Sequence, residues 1–251
     1  LGGLAALTRA ELLLFLPVAV LPLLGSPGVP PVVRLRRVGA VASVVLLVLS
    51  PWLVRNLVRF EEPVLLSNGS GVLLAQTNCD ATYYGDKIGY WEHLCLLPQP
   101  IGEDGQPLDE SQRDVVWRRR GLDYAGDHLA RLLGHAMPRR VARVWALDAP
   151  VQQLRADMLV EGRSFRASVL GLTQYAFLVP AAVAGAVLLR RRRRPLLPLL
   201  AWPAIVTLVA AASMGTTRYR VSAEVTIVVL AAVAVDALLR YRRGRPGPST
   251  A

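Results

Sequence analysis

Lysine is nearly absent from this 251-residue chain: Lys87 is the only one among 29 cationic side chains, so a formal charge of +11 rests almost wholly on arginine. Aromatics make up only 6% of the residues, histidine occurs three times and cysteine twice. Two cysteines are too few for a small secreted scaffold held by disulfides, and Cys79 and Cys95 stand too far apart for a CxxC pair. With no HExxH motif and no Cys/His cluster, ligand spacing assigns no metal and no cofactor. Disorder is excluded as well, because 53% of the residues are hydrophobic.

What the chain does have is long apolar runs, and its mean hydropathy is +0.38. Residues 4–24, 38–58, 167–189, 196–213 and 221–239 are each apolar over a length near the roughly 20 residues a helix needs to cross a bilayer. Between the second and third runs, the mixed-polarity segment from Glu61 to Arg166 holds 12 cations and 15 anions. The positive excess therefore lies beside the apolar runs and not on one polar surface. That pattern fits a membrane protein and argues against nucleic-acid binding, which needs cations clustered toward the phosphates.

The arginines also orient the chain, since short-loop arginines stay cytoplasmic. Arg34, Arg36 and Arg37 follow the first run, Arg190 to Arg194 the third, and Arg240, Arg242, Arg243 and Arg245 the fifth. Alternation puts these 12 on one side, against Arg218 and Arg220 on the other. The expected architecture is an all-α polytopic membrane protein with five transmembrane helices. Residues 1–60 carry the first two, 61–165 form a mainly helical extracytoplasmic domain, 166–243 carry the last three, and 244–251 form a cytoplasmic tail. The expected location is the cell membrane, multi-pass, with membrane lipids as partners. With no initiator methionine and an immediate apolar start, the chain reads as the later part of a longer protein.

Both cysteines fall in the segment expected outside, where disulfides persist. A Cys79–Cys95 bridge there would add about 3 kcal/mol by loop closure; two buried thiols are the other reading. Residues 76–91 lack a helical period and read as a structured loop, whereas 111–133 and 139–147 place apolar residues at helical spacing. Arg9 and Glu11, two apart, face different sides of the first run, whereas Asp236 and Arg240 meet one turn apart.

Two segments carry candidate chemistry. Residues 50–56, SPWLVRN, put a proline in the end of the second run, with Trp52 and Arg55 at headgroup depth and Asn56 beside them. Residues 215–220, GTTRYR, break the positive-inside pattern with Arg218 and Arg220 flanking Tyr219. Guanidinium forks match phosphate oxygens, and Glu224, four residues past Arg220, shares its helix face and can orient it. Arg218 and Arg220, with Arg55, are therefore expected to bind the phosphate of a lipid-linked substrate. The other reading pairs these arginines with acidic residues of the 61–165 segment.

The run PWLVRN, then SNGSGVLLAQTNCDATYYGDKIGYWEHLC, then RRVARVWAL and GTTRYRVSAEV, in that order along nearly the whole chain, resembles actinobacterial ArnT-like and protein-O-mannosyltransferase-like membrane glycosyltransferases, family 39 with the GT-C fold. GGLAALTRAELLLFLP resembles a mid-protein helix of the same group. The resemblance implies transfer of a sugar from a polyprenyl-phosphate donor to a glycan or protein acceptor on the outer face. It implies donor-phosphate roles for Arg218, Tyr219, Arg220 and Arg55, with Glu224 and Asn56 supporting them. It also implies that the catalytic carboxylate lies in an upstream outer loop, so that this chain alone would not transfer sugar. Asp80, Asp86 and Glu92 are for that reason not assigned as catalytic base. Asp80, Tyr83, Tyr84 and Trp91 are sugar or acceptor contacts on this reading, although these aromatics, with Tyr90, equally suit packing around the bridge. Rival readings are a non-catalytic membrane scaffold and a transporter component for lipid-linked sugars, the latter disfavoured by the few charges at membrane depth.

Overall fold

The computed structural model describes all residues except 1, 9, 15, 19, 21–27, 104 and 245–251. Arg9, Arg245, most of the expected tail and part of the first apolar run thus lie outside the described residues. Among the described residues the regular structure is helical, apart from one isolated bridge between Ile101 and Pro107.

The first apolar run departs from expectation. It starts as helix α1, Gly2–Thr8, and continues as a tighter 3-10 helix, Ala10–Leu14, in place of one uninterrupted α-helix. Among the described residues three helices are long and apolar enough to cross a membrane: α2, Pro31–Arg59; α8, Phe165–Arg191; and α10, Thr217–Arg242. The fourth run forms α9, Leu197–Ala212, whose 16 residues span about 24 Å, less than a hydrocarbon core of about 30 Å. The chain divides into two compact units, Leu1–Val141 with Val209–Gly215, and Ala142–Leu208 with Thr216–Ala251. The division cuts through the expected 61–165 domain at residue 141.

In the first unit, α3, Ser70–Thr77, packs against α5, Glu110–Asp127, at contact distance between backbones. A Cβ on Gly71 would lie 1.9 Å from the carbonyl oxygen of Asp114, and one on Gly121 would lie 2.5 Å from the carbonyl carbon of Leu74. The Asp114 carboxylate accepts from the amides of Gly69 (3.0 Å) and Gly71 (2.7 Å), from Ser70 Oγ (3.1 Å) and from Arg118 (2.6 Å). It thereby satisfies amides that a helix start leaves unpaired. Gly69 sits at φ +132°, a conformation that favours glycine.

Cys79 and Cys95 are bonded, Sγ to Sγ 2.04 Å, tying the start of α4, Asp80–Tyr83, to the 3-10 turn His93–Leu96. The reading with two buried thiols is set aside. The expected loop at 76–91 is a loop apart from α4 and the last turn of α3.

The helix expected over 111–133 ends at Asp127, resumes at Leu129–Arg131, widens into a π-helical turn at Leu132–Ala136, and continues as α6, Met137–Val144. Pro138 accounts for the widening. It has no amide hydrogen, and its ring would collide with the carbonyl four residues back in a regular helix.

Asp109 caps α5. Its Oδ1 accepts from the Gln112 amide (2.7 Å) and the Ser111 hydroxyl (2.7 Å), its Oδ2 accepts from the Glu61 amide (3.2 Å), and Gln112 Oε1 accepts in return from the Asp109 amide (3.0 Å). Burial by itself would raise this carboxyl's pKa, but these donors outweigh burial and hold it below the ordinary carboxylate value. Asp109→Asn keeps a capping oxygen and loses the charge, so it is expected to cost about 0.5 kcal/mol near neutrality. Because the folded pKa is depressed, the cap's contribution is complete above the unfolded pKa of about 4 and is lost as pH falls through the folded value. Acid unfolding curves of the two proteins should converge at low pH; a gap that stays constant would contradict this.

The second unit is built on α8 and α10. Tyr175 faces Arg220 and Gly185 faces Leu230, an offset of 45 residues at both points (220 − 175 and 230 − 185), so the two helices run parallel in register. A Cβ on Gly185 would lie 1.9 Å from the Leu230 carbonyl oxygen, so only glycine allows this approach. Ala182, Ile227, Leu230 and Ala231 form the core, with Tyr175, Leu178 and Trp145 packed on it. Trp145 also donates to Thr207 Oγ1 (3.0 Å). Helix α7, Pro150–Glu161, starts after Ala149 at φ +44° and ends at Gly162 at φ +66°.

Candidate functional site

The site in the second unit begins at the start of α10. Thr216 is its N-cap, and Gln153 of α7, buried, donates to both Thr216 Oγ1 and Thr217 Oγ1 at 3.2 Å. One turn in, Arg220 is only 6% exposed. Its Nε donates to Glu224 Oε1 at 3.0 Å, and its Cζ lies 3.6 Å from the centroid of the Tyr175 ring. Arg220 Nη1 has no hydrogen-bond partner among the described residues.

Arg220, Glu224 and Tyr175 line a cavity of about 270 Å³ together with Asp157, Arg163 and Ser168. Arg163 reaches Asp157 (3.8 Å) and Glu161 (2.6 Å), and Glu161 also lies 3.8 Å from the exposed Arg218. Leaving a buried cationic N–H group unpaired is costly. A tetrahedral anion has acceptor oxygens that suit such a group, and the tyrosine ring face stabilises the guanidinium.

The two arginines of the GTTRYR segment have different partners. Arg220 is held by Glu224 of its own helix, as the four-residue spacing implied, while Arg218 leans on an acidic residue of the 61–165 segment. Tyr219 is half-buried, its amide donating to the Thr216 carbonyl at 3.2 Å.

The remaining expected site residues belong to the first unit. Arg55 is exposed, stacks at 4.8 Å over Trp52 and donates to Asn56 Oδ1 at 2.9 Å. Asn56 is buried and donates to the Leu65 carbonyl at 3.0 Å, while Trp52 donates to that of Leu66 at 2.8 Å. These three residues direct the chain out of α2.

Asp80 is exposed and accepts from Tyr124 at 2.6 Å. Burial, and then this bond to Asp80, push the Tyr124 phenol's pKa well up. Tyr84 is exposed beneath Arg131, whose Cζ lies 4.7 Å from the ring centroid. Trp91 is half-buried between Tyr90 and His93. Tyr83 is fully buried and donates to Asn78 Oδ1 at 2.8 Å, which leaves no ring face for a sugar; burial raises its pKa despite nearby Arg140. Glu92 caps the 3-10 turn through the Leu94 amide and pairs with Lys87. Burial opposes ionisation there, but the Lys87 and Leu94 donors outweigh it and hold the carboxyl low. Asp86 is exposed.

Sequence reasoning missed Arg140, Gln153 and Tyr175. Arg140 is buried and donates to the carbonyls of Thr77 (2.6 Å) and Ala211 (3.2 Å) and to Asn78 Oδ1 (2.9 Å), with its pKa drawn down by burial. Tyr175 alone left a trace, as a phenol within an apolar run of membrane length.

Among the described residues the fold and these sites define an all-helical protein with three membrane-length helices, one disulfide and a partly unpaired buried guanidinium in a cavity. No family model, curated protein or solved structure matches the chain.

Proposed function

We propose that this chain belongs to an integral membrane glycosyltransferase and holds the phosphate of a polyprenyl-phosphate sugar at the outer leaflet, from which the sugar passes to a glycan or protein acceptor. The carrying observation is Arg220, buried on the Tyr175 ring with Nη1 unpaired, in a cavity just inside the start of α10. The proposed topology is five crossings, with residues 61–165 extracytoplasmic and the C-terminus cytoplasmic. The arginine runs at 34–37, 190–194 and 240–243 support it by the positive-inside rule.

In the transfer, the acceptor hydroxyl oxygen bonds to the anomeric carbon while the bond from that carbon to the phosphate oxygen breaks. The phosphate leaves with the electron pair, and the hydroxyl proton passes to a base. Arg220, steadied by Glu224, stabilises the charge that grows on the departing phosphate. The base is not assigned to any residue of this chain.

The test uses membranes carrying the full protein and radiolabelled polyprenyl-phosphate sugar. Label moving into an acceptor is the expected result. Donor retained without transfer would favour the carrier or scaffold reading, and neither retention nor transfer would overturn the proposal.

A further inference from the structure

We infer that the shared C-terminal end of α8 and α10 is a binding site for the headgroups of anionic phospholipids. The in-register pairing brings two arginine runs together there. With an offset of 45, Arg190 and Arg191 at the end of α8 lie level with residues 235 and 236, Arg192–Arg194 follow in the turn that ends α8, and Arg240, Arg242 and Arg243 follow within about 11 Å along α10. All eight are exposed except the half-buried Arg192. Asp236 is the one acidic neighbour on either helix end and is engaged by Arg240 at 2.8 Å. The others form no ion pair among the described residues, which leaves a net of about +7 at one end of a helix pair.

Two helix C-termini account for little of this. Their dipoles amount to roughly half a negative charge each, so together they balance about one arginine. The remainder needs anions at the level where the apolar helices end. A membrane supplies these as phosphodiester headgroups held in the same plane, and guanidinium forks match phosphate oxygens. Tyr241, 84% exposed among the arginines, is the amphipathic ring found at such an interface. Free phosphate lacks the acyl chains that would lie along α8 and α10, so the occupant is the lipid and not the loose ion. The site needs no sugar donor and stands independently of Arg220.

The test is native mass spectrometry of the full chain released from micelles containing equal phosphatidylcholine and phosphatidylglycerol. The expected result is at least a tenfold preference for phosphatidylglycerol, falling as salt rises. The preference should be lost in a variant with Arg191, Arg193, Arg194, Arg242 and Arg243 all changed to Gln, kept when the same five are changed to Lys, and kept in Arg220→Ala. Equal retention of the two lipids, or a preference surviving the Gln changes, would overturn the inference. So would displacement of the lipid by millimolar inorganic phosphate or by an oligonucleotide.

Discussion

Arg220→Ala is expected to weaken binding of a polyprenyl-phosphate sugar about a hundredfold, equivalent to about 2.7 kcal/mol, and to lower transfer at least as much. The magnitude follows from removing a buried charged donor, whose bonds to an anion are stronger than those of a neutral donor in water. Arg220→Lys should recover only part of the loss, because an ammonium cannot use Glu224 and a phosphate with one planar fork. Tyr175→Phe separates ligand binding from folding: it keeps the ring under the guanidinium and removes a hydroxyl that donates to the Trp145 carbonyl at 3.4 Å, so it should lower the melt slightly and leave donor affinity near that of the parent. Binding of radiolabelled donor, measured beside a thermal melt, checks all three. Unchanged affinity in Arg220→Ala with an intact melt would remove the donor-site reading and leave the arginine as packing alone.

Gly71→Ala should destabilise the disulfide-closed lobe by about 3 kcal/mol or more, despite alanine's advantage of roughly 1 kcal/mol in a helix. Its Cβ would lie 1.9 Å from the Asp114 carbonyl oxygen, and the contact is with backbone, which no rotamer change can relieve. Separating α3 from α5 would also pull the amides of Gly69 and Gly71 from the Asp114 carboxylate, leaving a buried charge poorly paired. Gly126 in α5 is the control, since a Cβ there meets nothing within 4 Å. Gly126→Ala should be neutral or slightly stabilising. Limited proteolysis of the two variants, with the bridge intact, reads the difference. Equal resistance would mean that the helices do not approach this closely.

Much of the architecture was legible because it depends on local spacing. Apolar runs of sufficient length became α2, α8 and α10, although the observed helices extend past the apolar runs into their flanking arginines. The Arg220–Glu224 and Asp236–Arg240 pairs followed from the four-residue repeat of a helix, and the disulfide from two cysteines in one polar segment. The expected helix at 111–133 failed at its far end, because periodicity does not register how a proline at 138 disturbs the turn before it. The sugar-contact set was legible only as a composition of aromatics. Burial divided it, closing Tyr83 inside the lobe and leaving Tyr84 and Asp80 at the surface.

The sequence by itself determined that the chain is helical, that it carries apolar runs near membrane length, and that arginines cluster beside them, since hydropathy and charge act over a few turns. That three of the five expected spans are helices long enough to cross was read from the structure. Only the tertiary structure decided what lies beneath and beside Arg220. Tyr175 is 45 residues away from it, and Gln153 reaches Thr216 and Thr217 across 63 and 64 residues. The glycine approaches of Gly71 to Asp114 and Gly185 to Leu230 likewise join remote positions. Such contacts depend on which helix faces meet, and that is settled by backbone approach and by pairing of buried polar groups, neither of which leaves a periodic trace in the chain.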